Sequence, residues 1–214
     1  DDAVPGFLGA RFSRTEHLLA EIIEDLWQRR DAAKRAGNGP LAQAIKILMN
    51  SFYGVLGTDG CRFYHPRLAS SITRRGHQII QSSRDWIEGR GLRVIYGDTD
   101  SLFVLLRGQG SSLEQEARNL VAALNDYWHL TIERDFGLES HLEIELETIY
   151  HKFFMPRIRG SDAGSKKRYA GMTGPDARSL SIKGLEAVRS DWTELARTFQ
   201  RELLYAVFQE QDTQ

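Results

Sequence analysis

The chain has 214 residues, of which 41% are hydrophobic and 27% charged, and its net charge is −1 at neutral pH. This composition excludes an intrinsically disordered chain, because enough apolar material is present to offset the entropy lost on folding. A membrane span needs about 20 consecutive apolar residues, whereas the longest aliphatic and aromatic run is 102–106. Cys61 is the single cysteine, which excludes a disulfide framework. The acidic start carries no signal-peptide pattern, so an intracellular protein is expected.

Charge is distributed unevenly along the chain. Basic residues concentrate in 28–36 and 166–168, whereas glutamates concentrate in 139–147. Separate basic and acidic patches suit a protein that grips phosphates and also holds cations. Ordinary solvated surface is the alternative interpretation of any one of these patches.

The first part of the chain predicts a helical hairpin. The first ten residues show no periodicity and are predicted to be a connection, and the capping-box pattern of Ser13 and Glu16 predicts a helix start. An apolar stripe follows, with Leu19 and Ile23 beside it, and continues in steps of four into two cations: Leu18, Ile22, Leu26, Arg30 and Lys34. The stop and turn at 37–40 precede a second helix over 41–53, so the two helices form a hairpin.

The remainder of the chain predicts a mixed body. Glycines break the pattern over 54–60. The predicted helices are 66–88, 113–128 and 192–208. The predicted strands are 62–64, 92–96, 102–106, 142–154, 169–173 and 179–183. The fold class is therefore α+β, with an antiparallel sheet, helices packed on it, and a projecting two-helix hairpin.

Asp98 and Asp100 stand in the tight turn between the two apolar strands 92–96 and 102–106. Aspartate is common in turns for backbone reasons alone, which is the structural alternative. Two-residue spacing between rigid strands can also direct both carboxylates to one side. Paired hard oxygen ligands suit Mg²⁺, which keeps waters and is shared with substrate phosphates. Two such ions form the clamp used for in-line phosphoryl displacement.

The helix 41–53 carries a second candidate set. Lys46, Asn50 and Tyr53 share one helical face and offer a cation, an amide and an aromatic ring, which suit phosphate, sugar and base. An amphipathic helix with a snorkelling lysine is the alternative. The hairpin can also bring Arg30 and Lys34 beside Lys46. Three facing cations repel one another unless an anion joins them, and a triphosphate is a natural candidate.

Three ordered motifs resemble those of family B DNA polymerases. Residues 96–101 read Y-G-D-T-D-S, as in motif C of that family, and 46–54 match motif B, K-x-x-x-N-S-x-Y-G. Lys167 and Tyr169 match the K-x-Y motif. The likeness covers nearly the whole chain, and stretches such as K-G-L-E-A-V-R-S-D-W most resemble the bacterial DNA polymerase II branch.

The resemblance implies three domains and a set of residue roles. Residues 1–57 would be the fingers, 58–187 the palm and 188–214 the start of the thumb. The implied catalytic and metal-binding residues are Asp98 and Asp100, of which Asp100 would be a direct ligand of the metals and Asp98 a weaker or indirect one. Glu145 and Glu147 would be further metal ligands. The implied nucleotide-binding residues are Arg30, Lys34, Lys46, Asn50 and Tyr53. The implied DNA-binding residues are Gly54, Lys167 and Tyr169.

The resemblance also implies cofactors, partners and a location. The reaction would be template-directed transfer of dNMP to a primer 3′-hydroxyl with two Mg²⁺ ions, or Mn²⁺. Primer-template DNA and dNTPs would be the partners, with a sliding clamp engaged through parts outside this chain. A cytoplasmic, nucleoid-associated bacterial protein without a membrane partner is expected.

One family motif is absent from the sequence. Family members carry a motif A aspartate within D-x-x-S-L-Y-P-S, and these 214 residues contain no such pattern. We therefore expect the chain to be a piece of a longer polymerase that is inactive alone. The alternative is a non-catalytic DNA-binding module with a degenerate palm fold, which would keep the basic residues but gain nothing from Asp98 and Asp100.

Overall fold

The computed structural model describes residues 3–108, 111–157, 165, 167–174 and 176–209. The chain divides into two compact units between Ser83 and Arg84, inside a long helix. Both units contain helices, and all described strand pairs are antiparallel, which confirms the predicted α+β class. None of the described helices combines the length and the apolar character that a membrane span needs.

The first unit contains one small sheet and the helical hairpin. Its elements are β1 (Val4–Pro5), β2 (Arg11–Phe12), α1 (Leu18–Arg35), α2 (Gly39–Leu56) and most of α3 (Pro66–Glu88). Two predictions are wrong here. The first ten residues are not only a connection, since β1 pairs with β2. Residues 62–64 form no strand, because the chain turns there through hydrogen bonds from Cys61 to Thr58 and from Tyr64 to Cys61.

Helices α1 and α2 pack together, but along a different stripe from the predicted one. Leu18 is 58% exposed and Ile22 is also exposed. The buried and half-buried positions of α1 are Leu19, Ile23, Leu26, Arg30, Asp31 and Ala33, and all of them except Asp31 follow one regular spacing. Their spacing alternates between four and three residues, which stays on one side of a helix with 3.6 residues per turn, whereas steps of four drift around it. Arg30 therefore lies on the packed side, and Lys34 does not.

The ends of the two helices follow local chemistry. Asn38 caps α2, because its side-chain oxygen accepts a hydrogen bond from the Leu41 backbone N–H at 3.1 Å. Ser13 makes the predicted capping contact with the Glu16 N–H at 2.9 Å. The helix nevertheless begins only at Leu18, so the predicted start is wrong by one turn.

The second unit contains two separate sheets and the remaining helices. Its elements are β3 (Arg93–Asp98), β4 (Ser101–Leu105), α4 (Ser111–Phe136), β5 (Lys152–Phe154), β6 (Tyr169–Thr173), β7 (Ser179–Lys183), a 3₁₀ turn (Glu186–Val188) and α5 (Glu194–Gln209). Strands β3 and β4 form a hairpin, and β5, β6 and β7 form a three-stranded sheet in that order. The predicted antiparallel sheet is thus present as two small sheets in this unit.

The predicted strand 142–154 is wrong except at its end, where β5 lies. Asn125 of α4 explains the difference. Its amide donates to the Ile144 carbonyl oxygen at 2.9 Å and accepts from the Ile144 N–H at 2.8 Å. One side chain therefore satisfies both backbone groups that a neighbouring strand would otherwise pair with.

Aromatic rings join the two sheets of the second unit. Phe103 of β4 lies with its ring centroid 5.2–5.4 Å from three others: Tyr96, Phe153 and Tyr169. Tyr150 stacks on Phe103 at 6.2 Å. On the three-stranded sheet, Met172 and Ala170 form a core with Leu204 and Phe208 of α5. The hairpin is thereby held against the sheet, and α5 against the same sheet.

A charged network ties the start of β6 to α5. Glu186 accepts hydrogen bonds from Arg168 and from the Gln200 amide, the latter at 2.8 Å, and Gln200 in turn accepts from the Ala187 N–H at 2.6 Å. The hydrogen bond from Gln200, with a contribution from the charge of Arg168, lowers the pKa of Glu186. The network therefore holds Glu186 as a carboxylate.

This network predicts an acid-sensitive contribution to stability. Because the folded-state pKa of Glu186 is lowered, its carboxylate stabilises the fold above the ordinary glutamate pKa of about 4.3, and this stabilisation is lost as pH falls through the folded-state value. Urea unfolding should show Glu186→Gln to be less stable than the wild type by about 1 kcal/mol or more at pH 7. The difference should shrink below about pH 4. Glu133→Gln, at an exposed position on α4, is the control. A loss independent of pH would contradict the assignment.

Candidate active site

The hairpin of β3 and β4 presents both predicted aspartates at its tip. Asp98 ends β3 opposite Ser101, so Thr99 and Asp100 make a two-residue turn. Thr99 has a φ of +48°, a left-handed conformation that costs a residue other than glycine about 1–3 kcal/mol. The turn is fixed by hydrogen bonds to the Asp98 carbonyl oxygen from the Asp100 N–H at 2.5 Å and the Ser101 hydroxyl at 3.2 Å. The strain is thus compensated at the position that carries the carboxylates.

The two carboxylates differ in surroundings. The Asp98 side chain is 29% exposed, and its Oδ1 accepts a hydrogen bond from the Thr99 hydroxyl at 3.2 Å. Asp100 is exposed to solvent. The Asp98 carboxylate is therefore already in contact with neighbouring side chains, whereas the Asp100 carboxylate is accessible from solvent.

Lys167 joins the K-x-Y motif to this hairpin. Its backbone N–H donates to the Tyr96 hydroxyl oxygen at 2.8 Å, a contact between residues 71 positions apart. Its Nζ lies 3.8 Å from Asp98 Oδ1. The structure therefore brings Asp98, Tyr96 and Lys167 together, whereas sequence reasoning gave Tyr96 no role of its own.

Gly184 supports the unusual backbone of Lys167. Lys167 has a φ of +60°, and Gly184, which follows β7, has a φ of +61°. A Cβ atom at Gly184 would fall directly onto the Lys167 carbonyl oxygen. Only glycine permits this approach, so Gly184 is a residue that sequence reasoning missed. Its place directly after a predicted strand was the available signal.

Tyr169 lies beside the hairpin, among the aromatic rings around Phe103. Its burial, followed by the effects of Tyr150 and Glu147, raises the pKa of Tyr169 to about 12. The side chain is therefore a neutral phenol at physiological pH. Glu147 acts electrostatically on it, which places this glutamate in the same region.

The predicted acidic ligands do not form a complete cation site within the described residues. Glu145 and Glu147 are both exposed. Among the described residues, no group of three or more His, Cys, Asp or Glu side chains is placed to hold a metal ion. Within the described residues, the structure therefore brings Asp98 and Asp100 to one turn but shows no complete set of metal ligands.

The predicted nucleotide-binding cations lie on the helical hairpin of the first unit. Arg30 is half-buried on the packed side of α1, with its guanidinium carbon 5.7 Å from the Trp27 ring centroid. Lys34 is exposed, and its Nζ lies 3.7 Å from Asp31 of the same helix. Lys46 is exposed on α2. The shared stripe that was predicted for Arg30 and Lys34 is therefore not observed.

The predicted face of α2 is a single exposed face. Lys46, Asn50 and Tyr53 are all exposed along one continuous helix. The Tyr53 hydroxyl hydrogen-bonds to Thr73 of α3 at 2.6 Å. Because Thr73 donates its own proton to the Ala69 carbonyl, Tyr53 is the donor. Gly54 has no atom within 4 Å of the place where a Cβ would stand. This face is open to an external ligand, and its aromatic residue is oriented by α3.

Comparison with known proteins identifies the family. Residues 11–214 match DNA polymerase family B. The chain belongs to this family. Over its whole length it is 52% identical to DNA polymerase II of Escherichia coli strain K12, of which it covers 28%. It is also 35% identical over 79% of its length to a DNA polymerase of Archaeoglobus fulgidus, covering 19% of that protein.

The likeness extends to a third relative. The chain is 32% identical over 98% of its length to a DNA polymerase of Thermococcus gorgonarius, covering 25% of it. The resemblance to family B, and within it to bacterial DNA polymerase II, is therefore confirmed. The chain spans about a quarter of the length of these family B relatives.

A pair of glycine substitutions tests the contact between Gly184 and Lys167. Gly137 also has a φ of +61°, but no atom lies within 4 Å of its virtual Cβ. Gly137→Ala should lose about 1–2 kcal/mol in the free energy of unfolding, from the left-handed conformation alone. Gly184→Ala should lose at least about 1 kcal/mol more, because its methyl group also displaces the Lys167 backbone. Urea unfolding measures both, and equal losses would contradict the close approach.

Proposed function

We propose that this chain supplies the catalytic centre of a DNA-directed DNA polymerase, together with its nucleotide-binding helices. Residues 1–57 act as the fingers, 58–187 as the palm and 188–214 as the start of the thumb. The reaction is transfer of dNMP from a dNTP to a primer 3′-hydroxyl. Family membership supports the activity, and the three motifs support the assignment of roles.

The contact between Asp98 and Lys167 carries the proposal. It brings together a carboxylate and an ammonium from two motifs that are 69 positions apart in the sequence, which supports a cation-binding role for the first and a phosphate-binding role for the second. Phosphodiester synthesis needs both, because the protein mainly positions the reactants and neutralises charge. In a module that only binds the DNA backbone, a carboxylate at this position would not contribute to binding.

The hairpin carboxylates fit Mg²⁺ chemistry. Mg²⁺ is usually held by one or two carboxylates plus waters and substrate phosphates. Asp98 Oδ1 already lies 3.8 Å from the positively charged Lys167 Nζ, and Asp100 is exposed to solvent. Two Mg²⁺ or Mn²⁺ ions, when bound, supply charge neutralisation at the transferred phosphate. Asp98 and Asp100 are the proposed ligands, and Glu145 and Glu147 are further candidates.

The exposed face of α2 is the proposed site of the incoming nucleotide. Lys46 meets its phosphates, Asn50 lies beside them, and Tyr53 packs under the base or sugar, oriented by its bond to Thr73. Arg30 and Lys34 of α1 add cations for the triphosphate. The positions of Arg30 and Lys34 on the same helical hairpin as Lys46, and the exposure of Lys34 and Lys46, support this assignment.

Three further residues are proposed to contact the primer-template. Lys167 meets a backbone phosphate, and Tyr169 contributes a neutral hydroxyl at the primer end. Gly54 leaves room for close approach of DNA to the end of α2. A sliding clamp is a further proposed partner of the longer protein, which we place at the bacterial nucleoid.

Metal-dependent nucleotide binding tests the hypothesis that the chain carries a catalytic centre. A fluorescent dNTP should bind the chain more tightly with Mg²⁺ than without it. Asp100→Asn should weaken the Mg²⁺-dependent binding of the dNTP about tenfold or more. Loss of a group that only supports a metal ligand already lowers metal affinity about 10- to 100-fold, and loss of the ligand itself should lower it at least as much. Asp126→Asn, at an exposed position of α4, removes the same charge elsewhere and should leave binding unchanged. Mg²⁺-independent binding in the wild type and in Asp100→Asn would favour the DNA-binding module instead.

Primer extension tests the missing motif A carboxylate. We expect the purified chain alone to extend no primer, because a two-metal site without its bridging aspartate lacks the required geometry. The assay uses a labelled primer-template with all four dNTPs and Mg²⁺ or Mn²⁺, with Asp100→Ala as the control for contaminating polymerase. Extension by the wild-type chain that disappears in the control would refute this expectation.

A further inference from the structure

A small cavity lies between the 3₁₀ turn Glu186–Val188 and the first half of α5. Both elements belong to the second compact unit, so the cavity lies within one unit. Its volume is about 340 Å³, at the lower end of the range of pockets that hold small ligands. None of its lining residues belongs to the motifs of the candidate active site. The lining residues are Ala187, Glu194, Arg197, Thr198, Arg201 and Glu202.

Arg197 lines this cavity with one of its donors unused. The residue is half-buried, and its Nε atom is enclosed by protein without a hydrogen-bond partner in the described parts of the chain. A guanidinium stays charged in proteins, and a buried donor that is left unpaired costs free energy. Nearly all such groups in folded proteins are paired with protein, water or a ligand. The Arg197 side chain therefore indicates an acceptor that the described residues do not supply.

The glutamate of the 3₁₀ turn is already paired with other side chains. Glu186 accepts hydrogen bonds from Arg168 and from the Gln200 amide. Gln200 in turn accepts the Ala187 N–H at 2.6 Å, so this backbone donor of the turn is occupied as well. These contacts join the turn to α5 about one helical turn after Arg197. They hold the two walls of the cavity against each other.

The two carboxylates that line the cavity leave its arginines unpaired. Glu194 and Glu202 are exposed, and within the described ranges no ion pair joins either of them to Arg197 or Arg201. Glu194 stands three residues before Arg197, a spacing at which helical ion pairs commonly form, yet this pair is not made. Arg197 and Arg201 are four residues apart on one face of α5, where like charges repel each other. The cavity therefore holds two cations that the described chain does not neutralise by contact.

We propose that this cavity is a binding site for a phosphate group, held by Arg197 and Arg201. The planar fork of a guanidinium matches two oxygens of a phosphate. A carboxylate offers only two oxygens, whereas a phosphate offers enough to engage two forks and the hydroxyl of Thr198. The ligand is a free phosphate ion or a phosphodiester of nucleic acid, which share this chemistry. The proposal does not depend on the carboxylates of the hairpin or on a bound metal.

The charges around the cavity act on a phosphate in opposite directions. Arg197 is the stronger contact, because its enclosed Nε is shielded from water, whereas Arg201 is exposed. Glu194 and Glu202 repel an anion and limit its affinity. Removal of an arginine should therefore weaken phosphate binding, and removal of a glutamate should strengthen it. A purely structural role of the arginines would produce neither change.

Nuclear magnetic resonance of the full chain tests the proposal at the atom concerned. The Arg197 Nε–H resonance is assigned by its loss in Arg197→Gln. Titration of the Mg²⁺-free chain with inorganic phosphate, at constant ionic strength, should shift this resonance in a saturable way. The Nε–H of Arg93, at an exposed position of β3, should not shift. Equal shifts at both arginines would show unspecific attraction and overturn the site.

Four variants measure the affinity through the backbone N–H resonance of Thr198. Arg197→Gln should weaken phosphate binding about tenfold or more, as expected for hydrogen bonds to a charged group. Arg201→Gln should weaken it about two- to five-fold, because this arginine is exposed, and Glu202→Gln should strengthen it by a similar factor. Arg93→Gln removes the same charge from β3 and should bind phosphate as the wild type does.

Circular dichroism and urea unfolding establish that each variant is folded. If Arg197→Gln does not fold, Arg201→Gln and Glu202→Gln carry the test, because both of these positions are exposed. Opposite changes of affinity in these two variants support the proposal. Unchanged affinity in both of them overturns it.

A DNA duplex with 5′-hydroxyl ends distinguishes the two sources of the phosphate. If the duplex shifts the Arg197 Nε–H resonance and Arg201→Gln weakens this effect, the ligand is a phosphodiester of the DNA backbone. If inorganic phosphate shifts the resonance and the duplex does not, the ligand is the free ion. If neither shifts it, the phosphate site is overturned, and the proposed polymerase function is left unaffected.

Discussion

Packing of aromatic rings around Phe103 is the contact on which the candidate active site depends. The hairpin of β3 and β4 is a separate sheet from that of β5, β6 and β7, and no pairing between the described strands joins the two. Phe103 bridges them by contacting Tyr96 on its own hairpin and Phe153 and Tyr169 on the other sheet. Tilted and edge-on ring pairs such as these contribute about 0.5–1.5 kcal/mol each beyond the burial of their area. This packing sets the distance between the aspartate turn and the lysine segment.

The regular elements were predictable where one local rule decided them. Helix α3 was predicted with its observed ends, and the hairpin strands around Asp98 and both strands flanking Gly174 were located within a residue or two. Alternation, turn residues and helix breakers are sufficient for such segments. The wrong prediction of a long strand over 142–154 concerns a contact made at a distance. Ile144 pairs with the Asn125 side chain instead of with a strand, and no local pattern contains that information.

The candidate site shows the same division. Motif spacing led to Asp98, Asp100, Lys167 and Tyr169, and the structure brings Asp98 and Lys167 within ion-pairing distance. Arg30 and Lys34 were assigned to one stripe because a step of four was extended too far along α1. The roles of Tyr96 and Gly184 could not be predicted, because each acts on the backbone of Lys167 across a long sequence separation. Contacts of this kind with a distant backbone produce no periodic pattern of residues in the sequence.

The bond between Asn125 and Ile144 has a consequence for the chemical ageing of the protein. The Asn125 amide can bind both backbone groups of Ile144 because it donates one hydrogen bond and accepts another. Spontaneous deamidation would turn Asn125 into a carboxylate, which cannot donate and which would repel the Ile144 carbonyl oxygen. The segment that carries Glu143, Glu145 and Glu147 would then lose its attachment to α4 and gain a further negative charge beside it. A single hydrolysed amide, with no change in the gene, would thus loosen the acidic segment.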